Sequence, residues 1–244
     1  MTGNRIVWLS PADPPDAFPS VDLALDEPDG LLAAGGDLST PRLLAAYRAG
    51  IFPWYEQGQP ILWWSPEPRC VLFPAEYHVA RRLRRALRKS GLEIRFDSAF
   101  PQVIRACAAP RRLQHGTWIT PDMMAAFERL HTEGWAHSVE VWNGTELVGG
   151  MYGLCIGRMF FGESMFSALP NASKIAMLAL VRHMVTTGME LLDCQIVSSH
   201  LLSLGATTIP RSAFLDLLDR ACPPSVPTPE WPDSPLAASE LLSD

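Results

Sequence analysis

The sequence predicts an α+β fold, and three observations carry that reading. Apolar residues recur at helical spacing in several separate segments, among them Ala80, Leu83, Ala86 and Leu87. Between residues 138 and 161 the apolar period drops to two, with the turn pair Asn143-Gly144 inside it, as in an antiparallel meander. Helices thus lie before and after a block of consecutive strands instead of alternating with them.

The elements follow in order. Residues 1–69 are rich in Pro, Gly and Trp and predict a small N-terminal domain with little regular structure. Within it, Thr40-Pro41 supplies a capping hydroxyl and a first-turn proline for a helix that runs through Tyr47 and stops at Gly50. The helix containing Leu83 and Leu87 stops at Gly91, and Glu93 to Asp97 reads as a strand. A helix follows from Phe100 to Cys107, and Thr120-Pro121 opens another that Gly134 ends. Ser138–Trp142, Glu146–Leu154 and a strand through Phe161 form the meander, so that Glu163 ends its third strand. A long apolar helix spans about 171–187, a strand runs from Leu191 to Val197, and a helix from Pro210 to Ala221 closes the ordered part. The boundaries are then 1–69, 70–222 and a loosely held tail, 223–244, with Trp231 as its anchor. From about Cys70 to Cys222 this order is similar to an N-acetyltransferase (GNAT-like) fold with a mixed, mostly antiparallel sheet.

Composition narrows the class. No opening apolar stretch follows basic residues and no run is apolar enough to cross a bilayer, which predicts a cytoplasmic protein with no membrane partner. Five scattered cysteines without C-x-x-C spacing suit a reducing compartment. A net charge of −6 argues against a protein that coats nucleic acid, yet it allows a local basic patch.

Most standard sites are missing. The six histidines lack metal-ligand spacing, and His131 and His137 read as a surface pair. Gly162-Glu163-Ser164-Met165-Phe166 lacks the final glycine of a nucleophile elbow. Neither a P-loop nor a dinucleotide fingerprint occurs, and no glycine sits in the pyrophosphate loop of a coenzyme A acyltransferase.

Three features remain. Asp193 and Gln195 flank Cys194; in a strand the two share a face and Cys194 points away. Polar residues inside such apolar runs need partners or a task, and paired polar ends of a sheet would satisfy the same pattern. Arg81, Arg82, Arg84, Arg85, Arg88 and Lys89 form a basic helix face with no interleaved acid, which favours a phosphate partner over an ordinary solvated face. Trp54, Trp63, Trp64 and Trp118 lie in turn-like contexts where a ring can stack on a base or simply pack.

The motifs together resemble the bacterial leucyl/phenylalanyl-tRNA–protein transferases. They are Gly30–Leu38 followed by Tyr47 and Gly50-Ile51-Phe52-Pro53-Trp54; Trp63-Trp64-Ser65-Pro66; Gly116–Thr120; Gly149–Gly153; Gly162–Ser167; and Leu192-Asp193-Cys194-Gln195. The resemblance covers about residues 18–218. It implies transfer of Leu, Phe and, less readily, Met from aminoacyl-tRNA to proteins beginning with Arg or Lys, which marks them for degradation by the N-end rule. It implies no cofactor and no metal. It implies that Asp193, Gln195 and Glu163 lie in the active centre and that Tyr47, Trp54 and Trp118 bind the tRNA 3′ end. It also implies a side-chain pocket of Met151, Phe160, Met165, Met177, Leu180 and Met184. Phe127 stands where some relatives carry a tyrosine. The other classes that the pattern leaves open are a coenzyme A-dependent N-acetyltransferase and a non-catalytic tRNA-binding protein.

Overall fold

The computed structural model describes residues 6–88, 90–109 and 117–242. Two sheets organise it. The N-terminal region is more regular than its composition suggested. It holds short strands β1 (Val7–Leu9), β2 (Leu31–Gly35), β3 (Phe52–Pro53) and β4 (Leu62–Trp64), in the order β1-β2-β4-β3, beside helix α1 (Thr40–Arg48). Proline sits at the start of α1 as expected, but its cap residue is Ser39, and the Thr40 hydroxyl is buried without a hydrogen bond.

The larger sheet has eight strands. In chain order these are β5 (Arg69–Leu72), β6 (Glu93–Phe96), β7 (Ala136–Asn143), β8 (Glu146–Ile156), β9 (Met159–Ser167), β10 (Leu191–Gln195), β11 (Thr207–Ile209) and β12 (Leu236–Ala237). Their spatial order is β11-β5-β10-β9-β8-β7-β6-β12. The β7–β8 turn is Gly144-Thr145, one residue later than the sequence signal, with Asn143 paired to Glu146 and Gly144 at φ 60°. β9 runs to Ser167, so Glu163 lies inside the strand and not at its end.

Helices cover both faces of this sheet. Along β8, Tyr152, Leu154 and Ile156 pack with α3 (Phe100–Ala108) and α4 (Pro121–Thr132) in one core. Met151 and Cys155 pack with α5 (Ala172–Thr187) in the other. That alternation is the period-two signal made physical. The Thr120 hydroxyl accepts from the Met123 amide and caps α4 as its sequence predicts. Gly149 lets α5 start directly on the sheet, since a Cβ there would lie 2.4 Å from that of Ala172. α5 carries the chain from β9 to the parallel strand β10. Among the described residues no helix is long and apolar enough to cross a membrane.

The remaining α-helices among the described residues are α2 (Arg81–Leu87), α6 (Ser199–Leu202) and α7 (Arg211–Ala221). The tail, expected to hang loosely, adds β12 to the edge strand β6 and buries Ala238 and Leu241. Trp231 stacks on His137 with ring centroids 4.1 Å apart. His137 is therefore no surface residue: it is 8% exposed, and its Nδ1 lies 2.7 Å from the Asp97 carboxylate.

Candidate active site

The site forms where β5, β9 and β10 meet α1. Arg69, the first residue of β5, is 1% exposed and needs a counter-charge. Asp193 on β10 supplies it in a bidentate pair, with Arg69 Nε and Nη2 donating at 2.9 and 2.7 Å. Arg69 Nη1 also donates to the Gly50 carbonyl at 3.1 Å, and the guanidinium lies over the rings of Phe52 and Phe214. Gly50 takes φ 74° as α1 ends, which turns that carbonyl toward Arg69.

The pair fixes the end of β10. The Gln195 amide N–H donates to Asp193 Oδ1 at 2.9 Å, and the β5–β10 register shifts between Asp193 and Gln195. Gln195 adopts φ 61°, in the left-handed region that a non-glycine residue rarely occupies. Its side chain thereby reaches β9, where Nε2 donates to Glu163 Oε1 at 2.9 Å. The Tyr47 hydroxyl donates to the same oxygen at 2.7 Å from the buried face of α1. Burial pushes the Glu163 carboxyl up to about 7; the Tyr47 and Gln195 hydrogen bonds restrain that rise, and the charge of Asp193 adds to it. Burial first, then Glu163, holds the Tyr47 phenol well above its ordinary range, so it stays a donor.

A cavity of about 570 Å³ opens in front of this network. Glu163 and Gln195 stand on its wall with Met151, Met165 and Met177, while Trp54 and Trp118 flank it from the N-terminal region and the segment before α4. Trp54 is 40% exposed and is held by a hydrogen bond from Trp64 Nε1 to its carbonyl, 2.7 Å long. The wall therefore joins a titratable carboxylate, an amide, an apolar methionine surface and two indoles.

Comparison with known proteins agrees with this composition. The family described as leucyl/phenylalanyl-tRNA protein transferase matches residues 71–219, and its N-terminal domain matches residues 36–67. A protein of that name from Chromohalobacter salexigens is 57% identical over 221 residues, 91% of this chain and 86% of that one. Another, from Pseudomonas aeruginosa, is 57% identical over 215 residues, 88% of this chain and 94% of that one. The chain belongs to the leucyl/phenylalanyl-tRNA–protein transferase family. Among solved structures, L-PGS from Bacillus licheniformis aligns over 61% of this chain and 48% of that one, with 9% identity and a TM-score of 0.37, too loose a likeness to bear on fold or function.

The structure rearranges several of the expected site residues. Asp193, Gln195 and Glu163 come together, but the simple alternation expected of β10 does not hold. Asp193 is fully buried against Arg69 and off the wall, whereas Cys194, expected to point away, lines the cavity beside Gln195. The bulge is the reason. Tyr47 is fully buried and so cannot stack on a nucleotide; its contact is with Glu163. Met151, Met165 and Met177 reach the wall, but Phe160, Leu180 and Met184 lie entirely in the second core and do not. Met177 reaches the wall from α5, whereas Leu180 and Met184, further along the same helix, are packed in the second core away from the wall.

The basic helix is present as α2, with Leu83 and Leu87 buried and Arg81, Arg82, Arg84, Arg85 and Arg88 exposed. None of these arginines lines the cavity. Lys89 lies outside the described residues. Sequence reasoning missed Arg69, as well as Glu56, Thr117 and His200 on the wall. Arg69 was findable: it is a lone cation entering the apolar run Cys70-Val71-Leu72-Phe73, and Asp193 is a lone acid in another such run.

Proposed function

We propose that this protein transfers an amino acid from aminoacyl-tRNA to the N-terminal α-amine of a protein. The donors are Leu-, Phe- and, less readily, Met-tRNA, and the acceptors begin with Arg or Lys. The reaction places the protein in the cytoplasm, in the N-end rule marking of proteins for degradation. The observation that carries the reading is Glu163: a cavity-wall carboxylate whose pKa is raised to about 7, within a chain of this family.

The chemistry is direct aminolysis of an ester. An α-amine has an ordinary pKa of about 7.7–8.0, so near neutrality it needs a partner that accepts one proton. Glu163 has the matching affinity. The amine attacks the ester carbonyl while Glu163 takes its proton; the tetrahedral intermediate then collapses, and the tRNA 3′-oxygen leaves as Glu163 returns that proton to it through the neighbouring 2′-hydroxyl. Gln195 positions the amine, and the Arg69–Asp193 pair positions Gln195 through its backbone amide. Trp54 and Trp118 bracket the terminal base. Met151, Met165 and Met177 receive the side chain, since unbranched thioethers adapt to a ring or a branched end. The exposed α2 arginines meet the phosphates of the tRNA body. No covalent enzyme intermediate is required. We read the larger sheet, with α3 and α4 on one face and α5 on the other, as GNAT-like, with residues 70–222 as the catalytic domain and 1–69 as a smaller one.

Labelled Leu-tRNA supplied with peptides that begin with Arg or Ala tests this. Labelled Leu is expected on the Arg peptide alone. Acetylation dependent on acetyl-coenzyme A, or binding of charged tRNA with no transfer, would replace the reading with one of its competitors.

A further inference from the structure

We propose that Cys70 and Cys194 form an oxidisable dithiol in the cavity wall, a modification site at which a peroxide closes a disulfide between β5 and β10 and stops transfer. The strands are adjacent and antiparallel, with Cys70 opposite Gln195 and Val71 opposite Asp193. The register shift inserts Cys194 between those two pairs. Both cysteines face the same side of the sheet: Cys70 lies in the second core, and Cys194 packs against it. Val71 turns to the opposite core. Cys194 is the chain neighbour of Gln195, which faces Cys70 at the roughly 4.5–5.5 Å Cα spacing of antiparallel pairs, so the bulge sets Cys194 diagonally beside Cys70; a disulfide spans Cα atoms roughly 4.4–6.8 Å apart.

Access to the two sulfurs differs. Cys194 is half-buried on the cavity wall, whereas Cys70 is buried behind it. A small solute in the cavity thus meets one thiol with a second waiting to resolve it. Cys194 Sγ donates to the Leu192 carbonyl at 3.9 Å, and the interaction between the two neighbouring thiols draws Cys70 below the ordinary thiol range and pushes Cys194 above it. The pair therefore yields its first proton more readily than an isolated buried thiol does. Cys155 and Cys222 lack this help, and burial raises both, Cys222 to about 12.

The chemistry balances with hydrogen peroxide as the oxidant. With one proton gone from the pair, the remaining proton passes to Cys70, and the accessible Cys194 sulfur, now the thiolate, attacks the O–O bond, giving the sulfenic acid and a hydroxide that takes up the released proton as one water. The Cys70 sulfur then displaces hydroxide from that sulfenic sulfur, and the hydroxide leaves with the Cys70 proton as a second water. Two thiols are oxidised and one peroxide is reduced. The new bond pulls Cys194 toward β5 at the bulge that aims Gln195 at Glu163.

The cross-link itself does not depend on the proposed transfer reaction; only its effect on activity does. The reduced full-length protein is treated with hydrogen peroxide, its free thiols are alkylated, and its peptides are mapped by mass spectrometry. A Cys70–Cys194 peptide lacking two hydrogens is expected, together with a fall of about 10²-fold in transfer, the scale of an ångström-sized misplacement. Dithiothreitol should restore the rate. In Cys70→Ala, and in Cys70→Ser as a better space-filler, the cross-link and the reversible loss should both be absent. No cross-link between these cysteines, or a reversible loss that persists in both variants, overturns the proposal. A cross-link that leaves transfer intact overturns the switch. If the reduced protein transfers nothing, the functional reading fails while the peptide map still decides the dithiol.

Discussion

Glu140 on β7 and Glu163 on β9 are two carboxylates in one sheet, and burial raises the pKa of both. Their surroundings differ. Glu140 is fully buried and accepts through both of its oxygens, from Ser98 Oγ at 2.5 Å, Ser138 Oγ at 2.6 Å, and the amides of Ser98 and Ala99 at 3.2 and 3.3 Å. It sits across the start of α3, whose cap residue Ala99 has no side-chain acceptor of its own. Glu163 has two donors, both on Oε1, and it faces a cavity. A buried acid saturated with donors fastens a helix to a sheet. One left half-satisfied beside open space can exchange a proton with whatever enters.

Substitutions can break or sharpen this contrast. The largest effect is expected from Asp193→Ala, which strands the Arg69 charge in the interior. It should lower the unfolding free energy by about 3–5 kcal/mol in urea titrations and abolish transfer. Glu163→Gln should cost about 10²–10⁴-fold in kcat/KM yet leave binding of charged tRNA near wild type. Glu140→Gln should do the reverse, keeping transfer while lowering stability by about 1–3 kcal/mol. Linkage adds a sign. The folded state binds the Glu163 proton more tightly than the unfolded chain, whose carboxyl keeps its ordinary value of 4.5. This contribution is full below that value and is lost as pH rises through about 7. The melting temperature of Glu163→Gln relative to wild type should therefore be higher at pH 8 than at pH 4.

Two smaller effects lie outside the carboxylates. Reversing Arg84, Arg85 and Arg88 to Glu should raise the apparent KM for charged tRNA and flatten its salt dependence, while an aminoacyl-adenosine donor is used as well as before. Equal loss with both donors would mean damage to the fold instead of to a tRNA contact. Met177→Ala enlarges the cavity wall, and Leu transfer should fall a few-fold more than Phe transfer, a difference of about 1 kcal/mol. Equal losses would remove Met177 from the side-chain pocket.

Much of the fold was legible because it rests on local rules. The meander strands, α4 with its Thr120 cap and α5 with Gly188 at its end all follow from period and punctuation. Of the strands that build the site, β9 and β10 were legible in the same way and β5 was not. β5 and its outer neighbour β11 are four and three residues long, too short for a period to show; β5 pairs with the edge of β10, and β11 pairs with β5 in turn. The bulge at Gln195 was equally hidden, since nothing in Leu192-Asp193-Cys194-Gln195 signals a left-handed residue. Its cause is the Arg69–Asp193 pair, which joins residues 124 apart in the chain. Site residues could thus be named from motifs, while the direction each side chain takes came from tertiary contacts. Tyr47, Cys194 and Met184 are the cases where direction decided the role.

The pH dependence of kcat/KM tests the central claim most directly, measured with a minimal aminoacyl-adenosine donor and an Arg-initiated peptide. If Glu163 accepts the proton of the attacking amine, the wild-type rate constant should climb as the carboxyl deprotonates, with a limb near pH 7. Glu163→Gln should lose that limb and keep only the rise from the amine itself, about one unit higher. A wild-type profile without the limb, or one that Glu163→Gln leaves unchanged, would contradict the assignment of Glu163 as the proton acceptor.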